Sequence, residues 1–95
     1  MNLDREEFKA WLESKSPVTR VGERGSGCNC PVARYIKATS PVKIKNLIVG
    51  GLWIEINGKK SDPPEWVVSF VAFVDEGPAQ NITASRALEI LNEHA

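Results

Sequence analysis

The amino-acid sequence predicts a small α+β domain in which a three-stranded antiparallel sheet packs against helices. Capped, amphipathic helical patterns lie near both ends of the chain, and alternating apolar residues fill its middle. A mainly apolar run, residues 66–74, has the composition of a buried strand. The predicted order is ααβββα, with the strands arranged as a meander, in a single domain over residues 1–95.

The first helix is predicted from Asp4 to Ser14. Asp4, followed three residues later by Glu7, forms a capping-box pattern. Pro17 ends the helix because the residue before a proline is disfavoured in the helical region. Helical spacing places three apolar residues on one face, and these are Phe8, Trp11 and Leu12.

Two further helices are predicted from their N-terminal signals. Pro31 suits the first position of a short helix that ends before Pro41, since proline lacks the N–H that this position leaves unused. Thr83 caps the last helix. The predicted buried face of that helix consists of Ala84, Ala87, Leu88 and Leu91.

The predicted sheet begins with residues 42–49 and 52–56, which the Gly50-Gly51 pair joins as a hairpin turn. Asn57-Gly58 starts a polar loop, and residues 66–74 form the central strand. An alternative is that residues 44–56 form one long strand with a bulge at the two glycines. The sequence favours the meander.

Composition indicates a soluble, cytoplasmic protein that neither crosses nor binds a membrane. The sequence contains no apolar run of the ~18 residues that a membrane span requires, and its acidic start is unlike a signal peptide. Two cysteines one residue apart do not make a disulfide framework. The net charge is zero, but residues 15–45 hold seven basic residues and one acidic residue. This basic segment contains a glycine-rich loop, which includes Gly25 and Gly27.

One hypothesis is that this loop binds an anion or a nucleic acid within residues 20–37. The loop precedes the predicted second helix, whose free N–H groups favour negative charge. Its glycine spacing matches neither common phosphate-binding motif, and proline at the first helical position removes one donor. The candidate anion-binding residues are Arg20, Arg24, Ser26, Gly27 and Arg34.

A second hypothesis is thiol chemistry at Cys28 and Cys30. Cys30 falls at the predicted N-cap of the second helix, where the helix terminus and nearby arginines would lower the pKa of the thiol. Cys28 would then act as the resolving thiol. A catalytic thiol normally needs a positioned base, and the only histidine in the sequence is His94. We therefore predict no catalytic residues, no metal site and no cofactor.

The favoured hypothesis is a non-enzymatic binding or regulatory module that contacts a protein partner or a second copy of itself. Trp53 alternates with the apolar residues of its predicted strand and lies on the same face as Glu55. An exposed tryptophan is a typical anchor in protein interfaces. Trp53 and Glu55 are therefore the predicted protein-contact residues.

Overall fold

A computed structural model describes residues 3–95 and confirms a mixed α+β fold with a three-stranded antiparallel sheet. Its described part contains four helices and five short strands. In chain order these are α1 (Arg5–Glu13), β1 (Arg20–Glu23), α2 (Pro31–Thr39), β2 (Leu47–Val49), β3 (Ile54–Ile56), β4 (Lys59–Ser61), α3 (Glu65–Glu76), β5 (Asn81–Thr83) and α4 (Ala84–His94).

Three of the helices begin where the sequence predicts. The Asp4 carboxylate accepts a hydrogen bond from the Glu7 backbone N–H at 3.0 Å and caps α1. The Thr83 hydroxyl accepts one from the Arg86 backbone N–H at 3.2 Å and caps α4. Pro31 occupies the first turn of α2. These caps satisfy N–H groups that a helix start otherwise leaves without a partner.

The meander is confirmed for its first two strands, which are shorter than predicted. β2 pairs antiparallel with β3, so that Ile48 lies opposite Glu55, and residues 50–53 connect the two strands. One long strand over 44–56 is therefore excluded. The third strand is β4, which pairs with β3 across the two-residue turn Asn57-Gly58. Both turn residues have positive φ, 50° and 87°, as a type I′ hairpin turn requires.

The prediction of a central strand over residues 66–74 is wrong, because this segment belongs to helix α3. Its apolar run satisfies the helical period as well as the strand period. Four residues at helical spacing are buried on one face, and these are Val67, Phe70, Val71 and Val74.

A second, two-stranded sheet joins β1 to β5, which are far apart in sequence. Gly22 lies opposite Ile82 next to an irregularity in the register. β1 covers only the four residues Arg20–Glu23. This sheet anchors the start of the glycine-rich loop to the region just before α4.

The core is built around Phe8 of α1. Its ring centre lies 5.2 Å from those of Tyr35, Trp66 and Phe70, and 6.1 Å from that of Trp11. Helices α1, α2 and α3 are therefore joined through aromatic contacts. Among the helices of residues 3–95, none combines the length and apolar character needed to cross a bilayer.

Candidate functional site

The glycine-rich loop, residues 24–30, is held by hydrogen bonds at both ends. The backbone N–H of Glu23 donates to the Asn29 carbonyl, and that of Arg24 donates to the Gln80 carbonyl, both at 2.9 Å. Gly25 has a φ of 71°, and its N–H donates to the Asp75 carboxylate at 3.0 Å. A donor that an external anion would need is therefore already bonded to a carboxylate of the protein itself.

The three candidate arginines donate to three different parts of the protein. Arg24 donates to the Gly77 carbonyl at 2.6 Å, beside the C-terminal end of α3. Arg34 donates to Asn29 Oδ1 at 2.7 Å, and Arg20 donates to Asn81 Oδ1 at 3.2 Å. None of the three forms a salt bridge among the described residues. Arg34 also donates to the Arg20 carbonyl at 3.3 Å. Arg24 and Arg34 therefore connect the loop to the end of α3 and to α2, whereas Arg20 joins β1 to β5, and these contacts do not point to one shared anion.

The N-terminal end of α2 faces the interior of the protein. Cys30 is its N-cap, as the sequence predicts, and its Sγ accepts a hydrogen bond from the Ala33 backbone N–H at 3.4 Å. Pro31, Val32 and Ala33 are all buried. The expectation that this helix start presents free N–H groups to a ligand in the loop is therefore wrong.

The expected lowering of the Cys30 pKa is also wrong. Burial of the thiol raises its pKa from the ordinary value of 9.0, and the hydrogen bond from the Ala33 N–H opposes this only in part. The negative charge of Asp75 also raises it. Desolvation thus outweighs the helix terminus. Cys28, by contrast, is exposed, and both cysteines are free.

This contrast predicts unequal alkylation of the two thiols. At pH 7 the variant Cys30→Ser, which keeps Cys28, is expected to react with iodoacetamide at least about tenfold faster than Cys28→Ser, because a buried, protonated thiol is a poor nucleophile. Mass spectrometry of time-resolved samples measures both rates. In urea the two variants should react alike, which controls for intrinsic reactivity. Equal rates in the native state would contradict the burial of Cys30.

A cleft of about 260 Å³ lies between the glycine-rich loop, the β2–β3 connection and α3. It brings Ser26, Gly27 and Cys30 together with Trp53, although the sequence places them in separate candidate sites. Arg20, Arg24, Arg34, Cys28 and Glu55 do not line it. The lining residues are Gly25, Ser26, Gly27, Cys30, Ile48, Val49, Gly50, Gly51, Trp53, Val71 and Asp75.

Trp53 lies at the edge of this cleft and is 41% exposed. Its backbone carbonyl accepts a hydrogen bond from the Gly50 N–H at 2.8 Å, and Lys60 Nζ lies 5.5 Å from its ring centre. Glu55 is half-buried between Ile48 and Lys60 on the neighbouring strands. The two predicted contact residues therefore belong to one small surface, in which Trp53 is the more accessible.

Sequence reasoning missed the wall of the cleft that α3 supplies, Val71 and Asp75. The sequence predicts a strand over residues 66–74, and that prediction does not place Val71 and Asp75 beside the glycine-rich loop. A proline pair followed by Glu65, and Gly77 after the last apolar residue, are the helix boundary signals that identify α3.

Among residues 3–95, no three His, Cys, Asp or Glu side chains are grouped in a way that would hold a metal ion. Comparison of the chain with protein-family models, with curated proteins and with solved structures found no match.

Proposed function

We propose that this protein is a non-enzymatic binding module that contacts a partner protein through the cleft beside Trp53. The observation that carries the proposal is a group of three large apolar side chains exposed at neighbouring positions. Ile48 is 44% exposed, Leu52 76% and Trp53 41%. Such a group on a small domain is typical of an interaction surface, and tryptophan is enriched among residues that dominate binding energy.

The size of the cleft favours a protein side chain over a small-molecule ligand. At about 260 Å³ it is smaller than typical ligand pockets, which range from roughly 300 to 1,000 Å³. Its walls combine glycine backbone with the apolar side chains of Ile48, Val71 and Trp53. An apolar side chain of a partner, inserted as an anchor, would be enclosed on several sides.

The groups available in the cleft support binding over catalysis. Cys30 is its only thiol, and burial raises the pKa of that thiol. His94 stacks on Phe73 of α3, with 4.0 Å between ring centres, and does not line the cleft. The lining carboxylate, Asp75, accepts a hydrogen bond from the Gly25 N–H and is not hydrogen-bonded to Cys30 or Ser26 among the described residues. A nucleophile that is not hydrogen-bonded to a base is not activated for covalent chemistry.

Trp53→Ala is expected to weaken partner binding by about 30-fold, because loss of a central anchor costs about 2 kcal/mol. Affinity capture from native lysate identifies the bound protein, and titration of the purified partner by calorimetry measures the loss. Phe73→Ala is the matched control, since it removes an aromatic side chain of similar exposure, 39%, from α3. That variant should keep full affinity.

The proposal predicts that circular dichroism of Trp53→Ala matches that of the unchanged protein, because Trp53 lies at the surface. A partner that binds Trp53→Ala and the unchanged protein with equal affinity would exclude this cleft as the contact surface. Loss of binding in Phe73→Ala alone would assign the contact to α3 and α4 instead.

A further inference from the structure

The β3–β4 hairpin gathers lysines from two segments of the chain around Asn57. The Asn57 side-chain oxygen accepts hydrogen bonds from the backbone N–H groups of Lys45, at 2.8 Å, and Asn46, at 3.1 Å. Its side-chain nitrogen donates to the Lys43 carbonyl at 3.2 Å. The segment before β2 is thereby fixed against the hairpin turn. We call the four exposed lysines at this turn the lysine cluster, which consists of Lys43, Lys45, Lys59 and Lys60.

Positive charge exceeds negative charge at this end of the sheet. No member of the lysine cluster forms a salt bridge within the described part of the chain. Two acidic residues lie near the cluster. Glu55 is paired with Lys60 across the β3–β4 ladder, and Asp62 directly follows β4 in the sequence. Four cations against two anions attract an acidic partner, most strongly at low ionic strength.

The strand β4, which carries two of these lysines, has an open edge. Within residues 3–95, β4 pairs only with β3. The outer side of β2, by contrast, is partly covered, since the Val49 N–H donates to the Gly27 carbonyl at 2.6 Å. Antiparallel pairs alternate between bonded and non-bonded positions. The residues next to the tight turn, Ile56 and Lys59, form a bonded pair, so the backbone N–H and C=O of Lys60 face the open edge.

Lysines on an edge strand also have a protective role, because they discourage uncontrolled pairing. On β4 the same lysines also determine which strands can pair with the open edge. Two copies of β4 brought edge to edge would place Lys59 and Lys60 against the same two lysines, and like charges repel. An acidic strand meets no such penalty, so the charge pattern favours a different chain over self-pairing.

A groove of about 530 Å³ runs along β4. Val42, which is 60% exposed, and Ile56 give it an apolar part, and Lys59, Lys60, Ser61 and Asn57 complete its lining. A strand added to β4 would direct alternate side chains to opposite faces. Apolar side chains on one face would contact Val42 and Ile56, on the side of the sheet that also carries Lys59, and carboxylates on the other face would reach Lys60.

We propose that the open edge of β4 binds an extended acidic segment of a partner protein by strand addition, with Lys60 pairing its carboxylates and the rest of the lysine cluster adding positive charge. The groove-lining residues include no aromatic side chain on which bases could stack. A nucleic acid would also leave the peptide groups of Lys60 without strand-like partners. The lysine cluster does not line the Trp53 cleft, although Lys60 Nζ lies 5.5 Å from the Trp53 ring centre. The proposal does not depend on binding in that cleft.

The test is the fluorescence anisotropy of a labelled seven-residue peptide of alternating glutamate and valine. Reversal of two charges on β4, in Lys59→Glu/Lys60→Glu, is expected to weaken binding at least about tenfold, since opposite charges become like charges. The matched control Lys9→Glu/Lys15→Glu changes the net charge equally on and just beyond α1 and should retain binding. If both double variants lost peptide affinity equally, binding would depend on net charge alone, and the proposed site at β4 would be wrong.

Strand addition is tested separately from charge. A peptide with proline in place of each valine keeps its carboxylates but loses those backbone donors, and it should bind at least about tenfold more weakly. Hydrogen exchange of the Lys60 amide should slow when the valine peptide binds. Unchanged exchange, or equal affinity of the proline peptide, would overturn strand addition.

Two further measurements distinguish strand addition at β4 from a nucleic-acid surface and from peptide binding in the Trp53 cleft. A seven-nucleotide oligothymidylate that binds more tightly than the acidic peptide would overturn the proposal in favour of a nucleic-acid surface. Ile48→Ser, which alters the Trp53 cleft, should bind the peptide normally. Loss of the peptide in Ile48→Ser would overturn the assignment to β4, whereas failure of the Trp53 experiment alone would leave it intact.

Discussion

Replacement of Gly22 by alanine is expected to destabilise the protein by about 3 kcal/mol, the upper part of the usual range for overpacking. A Cβ at this position would lie 2.4 Å from the nitrogen of Pro31, 2.5 Å from its Cδ and 2.7 Å from the carbonyl carbon of Cys30. These are backbone and ring atoms that no rotamer change can move. Relief of the clash therefore requires β1 and the start of α2 to separate.

Urea unfolding followed by circular dichroism measures this effect as a lower midpoint with little change in slope. Gly51→Ala is the matched control, because a Cβ there meets no heavy atom within 4 Å and its φ is not in the left-handed region. That variant should stay within about 0.5 kcal/mol of the unchanged protein, as surface substitutions usually do. If both variants had the same midpoint, β1 and α2 would not be in the contact described.

The elements that the sequence predicts well are those whose signals are local. A cap, a proline or a helical stripe acts within one or two turns, so Asp4, Pro31 and Thr83 mark the starts of α1, α2 and α4. The alternation around Ile54 likewise identifies β3. These signals depend on neighbours in the chain, which are visible without the fold.

The segment 66–74 shows where local pattern is ambiguous. An apolar run that is rich in valine and phenylalanine and broken only by Ser69 satisfies the strand and helix periods together. Tertiary packing then decides, and it overrides the strand preference of β-branched residues. In the structure, one face of α3 covers the core and Phe73 on another face remains partly exposed.

The site depends on contacts that no local signal shows. The sequence indicates Trp53, but its position beside Gly27 and Asp75 follows from the packing of α3 and the loop. The same limit applies to Cys30. Its N-cap position is a local property and is predicted, whereas its raised pKa results from burial, which only the complete fold determines.

Phe70→Ala is expected to destabilise the protein by about 4 kcal/mol, since truncation of a fully buried phenylalanine loses its burial energy and leaves a cavity. The Phe70 side chain is 0% exposed and meets Phe8 edge-on at 5.2 Å between ring centres. Phe73→Ala, three residues further along the same helix, should cost about 1 kcal/mol, the value of its stacking on His94.

Urea unfolding of the two variants also tests the conformation of residues 66–74. A central strand covered on both faces would bury both phenylalanines, and the two losses would then be similar. A difference of about 3 kcal/mol follows only if one face of a helix packs on the core. Because Phe73→Ala is expected to lose little stability, the variant should remain folded. It can therefore serve as the control for Trp53→Ala, since any difference in partner binding between the two variants then reflects the Trp53 cleft.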